Sequence, residues 1–211
     1  KSQIEKMGIK VNLGLACEEV LGQGRVTGLR FKGSQEIKTD VALVAAGVRP
    51  NFRIAQEAGL EVDRGLVVND YLQTSVPDIM GAGDVIQHEG RMYGIIPASF
   101  NQAKVVAHNV MGQIKKYEGT IPSNTLKVVG IDLTSIGAVY PEDKSCEEFR
   151  MEDQKQGIYK KIVVRNGEVC GFICIGTKKN VSEISQLISQ KVNVEKWKES
   201  LLDDDFDYSV I

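Results

Sequence analysis

"TSVPDIMGAGDV", Thr74 to Val85, sets two glycines around an alanine and then an aspartate directly after an apolar stretch. Proline and glycine punctuate turns, so a loop with a capping aspartate is one reading. The other is that Ile79 and Met80 enter a buried strand that ends in the glycines. Asp84 is then a lone carboxylate aimed at a ligand hydroxyl, and Gly83 lets the ligand lie against bare backbone. A Gly-x-Gly-Asp by itself does not decide between them, and the flanking sequence has to.

Downstream, "IIPASFNQAKVVAHNVMG" spells a helix with Pro97 in its opening turn and Gly112 at its end. Ala103, Val106, Ala107 and Val110 form its apolar stripe. Upstream, Val41 to Ala46 is continuously apolar, as suits a central strand covered on both faces, and it ends at Gly47. "VRPN" turns the chain, Asn51 is placed to cap a short helix from about Phe52 to Ala58, and Gly59 fits its stop. Before this, "GIKVNLG", "RVTGLRF" and "QEIKTD" read as strands, the last two joined as a hairpin across "KGS". "DRG", Asp63 to Gly65, turns the chain into "LVVND".

The character changes near Tyr117, and "EGTIPSNT" reads as a linker. Strands follow at "LKVVGIDL", "SIGAVY", "KIVVR" and "EVCGFICIG", the last two joined by Asn166-Gly167, a strong hairpin signal. Asn180 with Glu183 fits a capping box for a helix from Val181 to about Gln190, with Ile184, Leu187 and Ile188 facing inward. The end, "DDDFDYSVI", is acidic and expected to fray at its tip; Asp203, Asp204 and Asp205 read as a solvated tail rather than a cation site.

The 211 residues are 42% hydrophobic and 26% charged, an ordinary globular composition with room for one or two domains. A net charge of -2, from 26 basic and 28 acidic residues, supplies no basic field for nucleic acid or an anionic membrane. The first residues lack a signal peptide's apolar core and no run approaches a membrane span, so a cytoplasmic location is expected. Cys17, Cys146, Cys170 and Cys174 form no Cys-x-x-Cys pair. On a strand, Cys170 and Cys174 stand roughly 13 Å apart, beyond the ~7 Å limit for a disulfide, and free core thiols are expected. His88, in a polar loop, and His108, on the helix flank, read as surface residues.

Three segments in order, "VALVAAGVRPN", "LQTSVPDIMGAGDV" and "IIPASFNQAKVVAHNVMG", resemble the second half of the FAD-dependent pyridine nucleotide-disulfide oxidoreductase family. The terminal unit, "KVVGIDLTSIG" and "GEVCGFICIGTKKNVSEISQLI", is most similar to the NADH:rubredoxin reductase and NADH-dependent nitrite reductase branch. The resemblance implies a mixed α/β and α+β fold. Residues 1–50 would be the tail of the NAD(P)-binding domain and 51–117 the returning segment of the FAD domain, both Rossmann-like. Residues 118–202 would be an antiparallel sheet-plus-helix domain of dimerisation or interface type, and 203–211 an acidic tail.

It also implies cofactor-binding roles. Asp84 would accept from a ribitol hydroxyl of FAD, with Gly83 admitting the cofactor. The helix start at Pro97, Ala98 and Ser99 would aim free N–H groups at the flavin's pyrimidine edge, where negative charge collects on reduction. Gly47 would mark where the NAD(P)-binding and FAD domains meet, although a glycine needed only for the turn into "VRPN" explains it equally well. Ile96 and Ala103 depart from the family, which commonly has tryptophan and glycine there. No Gly-x-Gly-x-x-Gly occurs for either FAD or NAD(P)H.

With Lys1 first and "SQIEKMG" reading as the end of a helix, the chain is expected to be a carboxyl-terminal piece, inactive alone and self-associating through uncovered surface. It holds no expected catalytic residue and no metal site. Electrons in the intact enzyme would leave to rubredoxin, oxygen or a nitrite-reductase-type centre. The rival reading is a non-catalytic module for dimerisation or partner docking, which makes no use of Asp84.

Overall fold

The computed structural model describes residues 1–128, 130–141 and 144–211. Its chain separates into two compact units, Lys1–Val48 and Arg49–Ile211.

In the first unit a short helix, α1 (Ser2–Glu5), precedes three strands, β1 (Cys17–Leu21), β2 (Gly28–Phe31) and β3 (Gln35–Lys38), in one antiparallel sheet of order β1-β2-β3. The β2-β3 hairpin is the expected one; Ser34 and Gly33 take positive φ at its tip. Arg30 ties the sheet across its face, bonded to Glu19 and Glu36. "GIKVNLG" forms no strand, and β1, not foreseen, takes its place. Val41 to Ala46 forms no strand either, and Leu43 is 92% exposed. A strand exists only where a neighbour takes up its N–H and C=O groups, and no described residues pair with this segment.

The second unit holds two cores. The first is built from α2 (Arg53–Glu57), a parallel pair β4 (Leu66–Val68) and β5 (Ile86–His88), and a long helix α3 (Ile96–Val110). Leu60, Leu66, Val68, Leu72, Ile86, Val105 and Tyr117 fill it. Asn51 does not cap α2, whose N-cap is Phe52 without a side-chain bond, whereas Gly59 ends it at φ +75. On α3 the buried face is Ala98, Gln102 and Val105, not the expected stripe; Ala103, Ala107 and Val110 are exposed and Val106 is partly covered. The helix carries two rows at helical spacing. The row with the glutamine is inside because its carboxamide finds partners there.

The second core is the terminal domain. Strands β6 (Ser123–Val128), β7 (Ile131–Gly137), β8 (Glu147–Asp153), β9 (Ile158–Arg165) and β10 (Glu168–Ile175) make an antiparallel sheet of order β6-β7-β10-β9-β8, and α4 (Val181–Gln190) packs against it. Asn166 and Gly167, at φ +53 and +77, close the β9-β10 hairpin as expected. Ile184, Leu187 and Ile188 face inward against Phe172, Ile162 and Val164. "LKVVGIDL" is not one strand: β6 and β7 share it and fold back near Gly130, at φ +81, while Val129 lies outside the described residues. "SIGAVY" contributes only Ser135 to Gly137, the end of β7.

The end of the chain also departs from expectation. Asn180 is the N-cap residue of α4, as expected, but its side chain makes no cap bond; its φ is +64, and its amide donates to Asp203 O and Tyr208 Oη, both at 3.0 Å. Lys160 on β9, 0% exposed, donates to Asp204 Oδ1 at 2.6 Å and Leu202 O at 3.2 Å. Phe206, Tyr208 and Ile211 pack on the core, and burial pushes the Tyr208 phenol up to about 12. The acidic segment is thus strapped down rather than frayed, because a buried ammonium needs its carboxylate. Lys161, next on β9, is also buried and bonds Glu148 and Val139 O.

All four cysteines are free, and burial pushes the Cys170 and Cys174 thiols up. No helix of the described residues is long and apolar enough to cross a membrane.

Candidate functional site

The quoted stretch folds as a tight hairpin, not as a buried strand. Gln73 bridges Met80, Thr74 N–H donates to Ile79 O at 2.9 Å, and Gly81 N–H donates to Leu72 O at 3.0 Å. Thr74 Oγ1 accepts from Val76 N–H at 3.1 Å and closes the turn at Pro77. Ile79 stays exposed because the hairpin leaves it on the outside. The buried strand comes after the aspartate: Ile86–His88 is β5, and Asp84 sits at its entry.

Each glycine of the turn has its own reason. A Cβ on Gly81 would meet Ile86 Cγ2 at 2.7 Å, so the turn can sit on the β4-β5 pair only if this position is bare. Gly83 has φ +87, a conformation that costs other residues strain. Its N–H donates to Gln102 Oε1 at 2.8 Å, and a Cβ built on it would lie 3.6 Å from Ser99 Oγ. The Gly83-Asp84 backbone is therefore seated against the first turns of α3. Asp84 itself is exposed, and its carboxylate bonds no other described residue.

Helix α3 begins at Ile95, an N-cap with no side-chain bond, and Pro97 lies in its first turn. Helix geometry leaves the N–H groups of Ile96 and Ala98 without an intrahelical acceptor, and Ser99 N–H reaches Ile95 O at 3.3 Å. The positive end of the helix dipole thus opens beside the turn that carries a free carboxylate. Of the expected site residues, Gly83, Asp84, Pro97, Ala98 and Ser99 are gathered here. Gly47 belongs to the other unit, at φ +84 with open space where a Cβ would stand.

Several polar residues behind the turn escaped the sequence reading. Gln102, 1% exposed, donates through Nε2 to Tyr117 Oη at 3.2 Å, and Tyr117 Oη lies 2.8 Å from Thr120 Oγ1. His88 is not at the surface: as the last residue of β5 it is buried, its ring edge-on to Tyr117 and its Nε2 3.2 Å from Asp70 Oδ1. Asp70 also binds Lys116, and Lys116 first and His88 second hold its carboxyl below the usual range. His108 lies on the helix flank, partly covered and 2.8 Å from Gln113 Oε1.

This mixed α/β fold occurs among reductases of known structure. A ferredoxin reductase from Rhodopseudomonas palustris superposes with a TM-score of 0.79 at 23% identity, over 99% of this chain and 52% of that one. The NADH:rubredoxin oxidoreductase of Clostridium acetobutylicum superposes at 0.55 with 30% identity, over 71% of this chain and 39% of that one.

The sequence narrows the class. A family model described as pyridine nucleotide-disulphide oxidoreductase matches residues 1–109, and one described as rubredoxin NAD+ reductase C-terminal domain matches 122–192. The chain belongs to the pyridine nucleotide-disulphide oxidoreductase family. Nitrite reductase [NAD(P)H] of Bacillus subtilis is 35% identical over 197 residues, which are 93% of this chain and 24% of that protein. NADH-rubredoxin oxidoreductase of C. acetobutylicum is 29% identical over 181 residues, 84% of this chain and 44% of that protein. The chain thus spans about a quarter of the first relative and less than half of the second.

Proposed function

We propose that this chain supplies one wall of the flavin site, and the terminal domain, of a cytoplasmic FAD-dependent NAD(P)H oxidoreductase. Residues 1–50 belong to its NAD(P)-binding domain, 51–117 to its FAD domain and 118–202 to an interface-type domain. The observation that carries this reading is the pairing of the Asp84 carboxylate, without a partner among the described residues, with the uncapped start of α3, across a backbone that Gly83 leaves bare.

The residues fit the cofactor. An ionised Asp84 accepts strongly from a hydroxyl donor such as the ribitol chain presents. Gly83, in a conformation that glycine holds without strain, lets that chain approach. The N–H groups of Ile96 and Ala98, with the helix dipole behind them, favour negative charge on the ring edge they face. When bound, FAD would take a hydride from the nicotinamide and hand its electrons to an acceptor. The greater identity to nitrite reductase favours a downstream redox centre over rubredoxin as that acceptor, and oxygen is the other candidate.

The test uses the protein with everything its gene encodes. Asp84→Ala should weaken FAD binding by about tenfold or more, the loss of a charge-assisted hydrogen bond of roughly 1.5–3 kcal/mol. Flavin that survives gel filtration at full occupancy in the variant would return Asp84 to a turn residue and favour a docking module instead.

A further inference from the structure

Resting on that reading, we propose that Gln102 is a positioning residue for the cofactor: its carboxamide sets the Gly83-Asp84 backbone before any ligand arrives. Asp84 has no side-chain partner among the described residues, so the place of its carboxylate depends on the backbone that carries it. That backbone belongs to no strand. Its inward N–H, at Gly83, is held by Gln102 Oε1 at 2.8 Å. Gln102 is 1% exposed, so the acceptor side of the bond is closed to water.

Donor and acceptor logic fixes the direction of both carboxamide bonds. Gly83 N–H can only donate, so Oε1 must face it and Nε2 must face Tyr117 Oη. Tyr117 Oη accepts from that amide and lies 2.8 Å from Thr120 Oγ1, a bond in which either hydroxyl can donate. Thr120 N–H in turn donates to Tyr93 Oη at 3.2 Å. The carboxamide cannot flip without setting donor against donor at Gly83. Tyr117 thus locks Gln102, Gln102 locks Gly83, and Asp84 is presented in one place. A preset carboxylate spares the ligand the ordering cost of the turn.

The experiment compares Gln102→Leu, Gln102→Glu, Tyr117→Phe and Asp84→Ala in the full gene product. Two readouts are taken: amide hydrogen exchange of the peptide spanning Gly81 to Ile86 in the FAD-free protein, and FAD affinity by fluorescence titration. Gln102→Leu should speed exchange at Gly83 and weaken FAD binding, each by about tenfold or more, because a half-buried N–H loses its acceptor. Gln102→Glu keeps an acceptor for Gly83, with the Tyr117 hydroxyl turning to donate into it, and should restore slow exchange. Tyr117→Phe leaves the acceptor but frees its orientation, and should change both readouts by roughly threefold.

Wild-type exchange at Gly83 in Gln102→Leu overturns the proposal, as does fast exchange with unchanged FAD affinity. If Gln102→Leu does not fold, wild-type values for both readouts in Tyr117→Phe overturn it. Unchanged FAD affinity in Asp84→Ala removes the flavin reading itself, and the Gly83 exchange rates then show separately whether the glutamine holds the turn.

Discussion

The terminal domain and the region around Asp84 satisfy their backbones by different means. In the terminal domain five strands form continuous antiparallel ladders, so main chain bonds main chain and the side chains are left to fill the core. Around Asp84 only two short strands pair, and side chains take up the slack. Gln102 holds Gly83 N–H, Gln87 holds Arg64 N–H, Ser75 holds Glu61 N–H, and Asn69 holds those of Tyr71 and Gln73. One region should therefore be sensitive to apolar truncation and the other to the loss of single polar groups.

The largest effect expected is in the terminal core. Phe172→Ala, at a position 0% exposed between sheet and helix, should cost ~3–5 kcal/mol in urea unfolding of the domain, from lost burial and a cavity. A cost below ~1 kcal/mol would mean that this core does not close on itself. A smaller effect tests the strap. Asp204→Ala leaves Lys160 with Leu202 O and Asn180 Oδ1 only, and should cost about 1–2 kcal/mol. The figure sits below that of a sealed pair because Asp204 is partly in water.

The pH dependence of the strap has a definite sign. Lys160 first and Lys179 second hold the Asp204 carboxyl below its ordinary 3.8. Its stabilisation is thus complete above that value and is lost as pH falls through the lower folded value. Acid unfolding of Asp204→Asn should lack this component, and identical acid curves for variant and wild type would show the strap to be idle.

The two regions were also unequally legible. The β9-β10 hairpin, α4 and the limits of α3 followed from local chemistry, Asn166-Gly167 at one turn and Pro97 and Gly112 at the ends of a helix. Strand β8 left a signal, Phe149 and Met151 alternating with charges, which its acidic composition hid. Asp204 misled because its partner, Lys160, is far away in sequence, and long-range ion pairs leave no local pattern; the Asn180 side chain likewise turns to Asp203 and Tyr208 instead of capping its helix. Val41 to Ala46 misled in the opposite sense, since apolar continuity speaks for burial and a strand needs a neighbour as well. At the candidate site Asp84 and the start of α3 were visible as a motif, whereas Gln102 was hidden by the brighter row of Ala103, Ala107 and Val110 on the same helix.

That outer row gives the smallest expected effect. Phe100, Val110 and Met111 are exposed, so Val110→Lys should change stability by no more than ~0.5 kcal/mol. Light scattering on the same variant tests whether the chain associates with itself through this row: a smaller species than wild type would place the row in such a contact. A large loss of stability would instead place that row inside the first core and erase the contrast between the regions.

Strand β9 has a further property. Two consecutive lysines, Lys160 and Lys161, are both buried, and each ammonium is held by a carboxylate. Trypsin and amine-acylating reagents both need a free lysine side chain, so this Lys-Lys pair, by sequence an obvious cleavage and labelling site, is silent while the domain is closed. Acylation of Lys160 is a chemical record that the strap has opened, and acylation of Lys161 that its bond to Glu148 has.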